Sequence, residues 1–158
     1  MVSVPFPNNG QNKNFKKDFN SENAGLVPPQ NVQAEEAVLG GILLDPDAIG
    51  RIADLIKPEA FYINAHQEIY RTALMLHTQG KPTDLTSMSA WLADNGSLEK
   101  IGGNSKLVEL VENVSSTASI EQVANLINDK FMRRQLIRSG NEVVQLGFDQ
   151  TKDTNEVL

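Results

Sequence analysis

The chain has 158 residues, enough for one globular domain, and its 22 % charged and 40 % hydrophobic residues are an ordinary balance for a soluble protein. A net charge of −6 gives no general attraction to nucleic-acid phosphates or to an anionic membrane, so any such contact has to be local. The absence of cysteine excludes disulfides and thiolate metal sites, and neither a signal peptide nor a window near the roughly 18 to 20 apolar residues of a membrane span is found, which fits a cytoplasmic protein.

Residues 1–27 are rich in Asn, Lys, Ser and Gly without an apolar period, and read as a disordered leader made slightly positive by Lys13, Lys16 and Lys17. Order is expected to begin at PPQNVQAEEAVL. Pro28 and Pro29 stiffen the entry there, Asn31 can cap a helix, and Glu35 and Glu36 suit the positive end of its dipole. Val38, Leu39, Ile42 and Leu43 recur at helical spacing and predict the first helix over about 32–44. Gly40 and Gly41 stand at its centre, where each costs up to about 1 kcal/mol relative to alanine, so packing has to justify them.

Asp45 is expected to cap a second, short helix with Pro46 at its first position and Ile49, Ile52, Ala53 and Ile56 inward; Lys57-Pro58 ends it. In the third, Asn64 is the expected cap and Gln67 the partner that completes a capping box. Ile69, Tyr70, Ala73, Leu74 and Leu76 form its inner face, and Gly80 its left-handed stop. Asp84 is expected to cap a fourth, with Met88, Trp91 and Leu92 inward and Asn95-Gly96 closing it. NSKLVELVEN, after Gly102-Gly103, predicts a fifth.

From Ser119 the pattern runs to Phe148 without proline, about 40 Å of helix, more than the head formed by the preceding helices can cover. Ile120, Val123, Ile127, Phe131, Leu136, Ile137, Val143 and Val144 stay apolar along it, so the overhang needs a second helix, another subunit or both as a partner. FDQTKDTN reads as a turn and NEVL as the first turn of one more helix, so the sequence reads as cut there. With no convincing strand or internal repeat, the fold class is all-α: a compact multi-helix head over 28–118, then a long-helix segment over 119–158.

Catalytic machinery is not recognisable. No GxxxxGK[ST] phosphate loop occurs, since Gly80-Lys81 is followed by Pro82, and Gly102-Gly103 reads as a tight turn rather than an anion site. His66 and His77 lie on one helix but about 16 Å apart along its axis, too far to share a metal, and His66 reads as a packing or capping residue. The carboxylate pairs Glu35/Glu36 and Asp45/Asp47 sit at helix starts, where a structural role suffices. Lys130, Arg133, Arg134 and Arg138 read as a solvated face laced by an Asp129–Arg133 pair, or else as a surface for a protein or local nucleic-acid partner. No catalytic, cofactor-binding or metal residue is assigned.

The segments PPQNVQAEEAVLGGILLDPDA, PEAFYINAHQEIY, GKPTDLTSMSAWL, IGGNSKLVEL and INDKFMRRQLIRSG, in that order, resemble the N-terminal domain of the bacterial replicative DNA helicase of the DnaB type over residues 28–158. The resemblance implies a helical head followed by a helical hairpin. The Ser119 helix would be its first arm and Asn155 the start of its second. It also implies homo-oligomers, with heads and hairpins pairing into a trimer-of-dimers collar above a ring of RecA-like ATPase domains that this chain lacks. ATP and Mg, and most DNA contacts, would belong to that ring. Primase would bind the collar, and a helicase loader is a further implied partner. Carried onto this sequence, the resemblance nominates Lys106, Ile137, Arg138 and Val143 as partner-interface residues and Gly40 and Gly41 as packing glycines where another backbone approaches. Lys106 stands where the family often has tyrosine. A stand-alone helical DNA-binding regulator is the alternative, resting on the short helices and Arg133/Arg134 and opposed by the acidic charge; a small enzyme is the third.

Overall fold

Helix α1 (Val32–Leu44) is the central element, touched by all the other head helices and by the long helix that follows them. The computed structural model describes residues 25–115 and 118–158, so the expectation for the leader over residues 1–24 lies outside the described residues. Asn31 Oδ1 accepts from Ala34 N at 3.0 Å and starts α1. Val38, Leu39, Ile42 and Leu43 then form the buried face. A Cβ built on Gly40 collides with the carbonyl oxygen of Leu110 and with Val114 Cγ2, whereas one on Gly41 meets, among the described residues, only Ile120 Cδ1, at 3.3 Å.

Asp45 does not start the second helix. It closes α1 as its C-cap, and its Oδ1 accepts from Asp47 N at 3.0 Å. An aspartate that bonds its own chain two residues on makes a turn, so Pro46 and Asp47 are turn residues and α2 (Ala48–Ile52) begins after them. Ile49, Ile52 and Ile56 are buried while Ala53 is only partly so.

A 3₁₀ turn (Pro58–Ala60) leads to α3 (Asn64–Thr78). Asn64 is the first helical residue rather than the cap, and no capping box forms; the Gln67 side chain donates instead to Phe61 O at 2.8 Å. The reason is tertiary: the carboxylate of Glu35, from α1, takes the N–H groups of Tyr62 at 2.6 Å and Ile63 at 3.4 Å. Gly80, at φ +69°, ends the helix with Lys81 N donating back to Leu76 O at 2.9 Å.

Asp84 occupies the cap position of α4 (Leu85–Asp94) but makes no capping bond, and its Oδ1 is buried without a hydrogen-bond partner among the described residues. The preceding Thr83 ties this segment to the core by donating to Ile42 O at 2.9 Å. Met88 and Leu92 are buried, and Trp91 is half-buried beneath Lys81, whose Nζ lies 5.5 Å from the ring centre. A 3₁₀ turn (Glu99–Ile101) and the left-handed Gly102, at φ +103°, open α5 (Gly103–Glu112), which lays Leu107 and Leu110 on α1.

The long helix α6 (Ile120–Phe148) follows, started by Ser119 Oγ accepting from Gln122 N at 3.3 Å. A turn held by Asp149, whose Oδ1 accepts from Thr151 N at 3.0 Å, leads into α7 (Thr154–Val157). Among the described residues there is no strand, and no helix is long and apolar enough to cross a membrane.

Candidate functional site

Helix α6 belongs to the head for only its first third. Val123, Ala124 and Ile127 are its buried residues, packed with the α1 core, and Phe131 is the last partly buried apolar side chain joined to that cluster. Further on, Met132, Leu136, Ile137 and Val143 are 59 %, 75 %, 50 % and 67 % exposed. Four large aliphatic side chains on one projecting arm exceed the scattered apolar exposure of an ordinary surface, so this arm is the candidate interaction site.

The root of the arm is held by two charged side chains acting on opposite edges of one loop, the Pro58–Ala60 turn and the residues after it. On one side Glu35 receives the N–H groups of Tyr62 and Ile63 and stands 2.7 Å from His66 Nδ1, with Glu35 and His66 each 1 % exposed. Glu35 therefore exceeds its expected role as a first-turn helix carboxylate: it is a buried acceptor for another segment. On the other side Arg134 donates to Ala60 O at 2.7 Å and to Pro29 O at 2.6 Å, with its guanidinium 5.5 Å from the Tyr62 ring centre.

Beyond Arg134 an open groove of about 1380 Å³ runs along α6, with Leu26, Val27, Pro28 and Tyr62 on its head side and Ile137, Arg138, Val144 and Leu146 among its arm residues. Its walls are mostly hydrocarbon, which fits an apolar helix or peptide face better than a polar metabolite.

Of the nominated interface residues, Ile137 and Arg138 line this groove, and Arg138 also pairs with Glu142 at 3.1 Å. Val143 is exposed on the arm but does not line the groove. Lys106 is elsewhere, on α5, where its ammonium bridges Glu36 at 3.3 Å and Glu109 at 3.4 Å. The basic group on α6 does not form a free cationic face: Arg133 pairs with Asp129 at 3.0 Å and Arg134 turns into the head. Sequence reasoning missed Leu26, Val27 and Tyr62. The signal available for them was three apolar residues without a helical stripe to bury them.

The described residues contain no cluster of His, Asp and Glu able to hold a metal ion. Burial pushes the Tyr70 phenol well above its ordinary pKa, helped by the Asp54 carboxylate, and the hydroxyl donates to Ile56 O at 3.0 Å. The hydrogen bonds from Thr151 hold Asp149 below its ordinary value. Tyr70 is sealed in the core and Asp149 ties a turn, so neither is poised for proton transfer.

Residues 27–129 match the family described as DnaB-like helicase N terminal domain. The chain is 52 % identical over 140 residues to the replicative DNA helicase DnaB of Nostoc, covering 89 % of this chain and 16 % of that protein. It is 36 % identical over 132 residues to the replicative DNA helicase DnaC of Bacillus subtilis, covering 84 % and 29 %. Among solved structures, the N-terminal domain of DnaB helicase from Mycobacterium tuberculosis superposes with a TM-score of 0.76 at 37 % identity, over 83 % of this chain and 92 % of that one. A DnaB-like replicative helicase studied for its interactions with primase superposes with a TM-score of 0.65 at 32 % identity, over 73 % and 27 %.

Proposed function

The chain belongs to the DnaB-like helicase N-terminal domain family, and from this we propose that it is the collar and assembly domain of a hexameric replicative DNA helicase, joining subunits and receiving primase. The observation that carries this reading is the arm itself: α6 leaves the head after Phe131 with Leu136, Ile137 and Val143 presented to solvent. Such side chains are kept on a surface when another helix is to cover them.

On this reading residues 28–118 are the head and 119–158 the hairpin, with α6 its first arm and α7 the opening turn of its second. The groove between Leu26–Pro28, Tyr62 and α6 receives that second arm, and a second copy pairs through what remains exposed, as in a trimer of dimers. The leader over 1–27 carries no assigned task. The intact helicase works in the cytoplasm and unwinds DNA at the expense of ATP with Mg. This chain has no GxxxxGK[ST] loop to hold the phosphates, so that chemistry and most DNA contact are assigned to a part of the protein it does not contain. A helicase loader is a further partner on the same reading. Ile137, Arg138 and Val143 are the proposed contact residues, while Lys106, already paired with Glu36 and Glu109, is the weakest of the four nominated.

The test is binding of this chain, and of a version extended through a second hairpin arm, to the C-terminal domain of the cognate primase, with complex mass read by light scattering. A complex formed by the extended chain supports the reading. No complex with either chain, both being folded and monodisperse, removes primase recruitment from it.

A further inference from the structure

Arg134 occupies the point at which α6 leaves the head. Its Nη1 donates to Pro29 O at 2.6 Å and its Nη2 to Ala60 O at 2.7 Å. The guanidinium carbon lies 5.5 Å from the Tyr62 ring centre and 5.8 Å from that of Phe131. One side chain thus fastens the long helix to two segments remote in sequence, 105 and 74 residues away. One of them is the segment of chain entering α1, and the other is the turn whose next N–H groups are held by Glu35.

The neighbouring arginines do nothing comparable. Arg133 pairs with Asp129 and Arg138 with Glu142, each on α6 itself, so neither bond resists a change in the angle between arm and head. No residue of α6 after Ile127 is buried. Among the described residues the core cluster therefore grips α6 only from Ile120 to Phe131, and helices held over so short a core contact can slide and rock on their neighbours. A charged fork that satisfies two carbonyls at once is the part of this junction with a fixed direction.

We propose that Arg134 is a latch that sets the direction of the α6 arm relative to the head, and that releasing its two carbonyls frees the arm to rock on its packed root between Val123 and Phe131. Arg134 is in this sense a positioning residue. It determines where Ile137 and Val143 are presented, and the proposal stands whatever partner meets them.

The chain has no cysteine, so spin labels can be placed at Met75→Cys on α3 and Gln145→Cys on the arm without removing a native thiol. The labelled chain is diluted into unlabelled chain so that only the intrachain distance is read by electron–electron resonance. A tilt of about 20° at Arg134 displaces the label at position 145, about 16 Å further along, by about 6 Å. Arg134→Met is expected to broaden or shift the distribution by that order, and Arg134→Lys, whose single ammonium cannot serve both carbonyls in the same plane, by less. Arg133→Gln is expected to leave it as in the parent. Should Arg134→Met fail to fold, judged by helical circular dichroism, Arg134→Lys decides. A distribution identical to the parent in the folded variant overturns the latch and leaves Arg134 as a stabilising contact alone.

Discussion

Glu35 Oε2 and His66 Nδ1 meet at 2.7 Å inside the head, and the same carboxylate receives Tyr62 N at 2.6 Å, so one acidic side chain on α1 organises the entry to α3. Removing it leaves buried donors without an acceptor, which costs far more than the net worth of the bonds themselves. Glu35→Ala is expected to destabilise the chain by about 3 kcal/mol in urea unfolding. Glu35→Gln, which keeps the side chain's size and one acceptor oxygen, should cost distinctly less; equal losses would show that one acceptor oxygen does not serve and that both carboxylate oxygens are required.

The same residue marks where local reading of the sequence stops. The caps and stops that rest on near neighbours were legible: Asn31 reaching Ala34 N, and Gly80, Gly96 and Gly102 at positive φ. So were the helical stripes and the length of α6. Asp45 and Asn64 were misplaced as helix starts because competing bonds were open to the chain, an Asx turn in one case and the remote carboxylate of Glu35 in the other. The face of α6 that carries Ile137 and Arg138 could be nominated, but not the groove beside it. Its other wall, Leu26–Pro28 and Tyr62, lies more than seventy residues away in sequence, and no period in the sequence joins the two. Arg134 was placed on a solvated face for the same reason: its acceptors are backbone carbonyls, which have no residue signature.

Gly40 and Gly41, side by side in α1, should respond in opposite ways. At Gly40 the obstacles include the backbone oxygen of Leu110, so α5 itself has to move, and Gly40→Leu is expected to cost about 3 kcal/mol or more and to collapse the head. At Gly41 the only near atom among the described residues is the terminal methyl of Ile120, at 3.3 Å, which a small rotamer adjustment relieves. Gly41→Ala also recovers up to about 1 kcal/mol of helix propensity, so its melting temperature should equal or exceed that of the parent. An unchanged melting temperature for Gly40→Leu would refute the close-approach account.

Tyr70 predicts an alkaline limit to stability. The folded state holds the phenol proton more tightly than the unfolded chain, whose tyrosine ionises near 10.0. Its contribution is therefore complete below that pH and falls as pH rises above it, by up to about 1.4 kcal/mol per unit. Tyr70→Phe leaves Ile56 O without its donor and should lower stability near neutral pH by about 1 kcal/mol. In return, its stability should decline less steeply than the parent's above pH 10. Parallel curves for the two proteins in that range would mean that the phenol is not the group that titrates.

Ile137 and Val143 separate the two kinds of contact proposed for the arm. Six residues of helix turn them about 120° apart, so they face different neighbours. Ile137 lines the groove whose opposite wall is the same chain's Leu26–Pro28, and whatever fills that groove is clamped within one chain. Val143 stands outside the groove and is 67 % exposed, a position open to a second copy. Both are exposed enough that aspartate should change the stability of the isolated 158-residue chain by no more than about 0.5 kcal/mol. In a chain extended through the second arm, Ile137→Asp is expected to loosen the hairpin at any concentration, read as faster proteolysis of that arm. Val143→Asp is expected to lower the associated mass in light scattering while leaving the hairpin protected. If both substitutions alter mass alone, the groove is filled from another chain and the assignment of its occupant to the second arm fails.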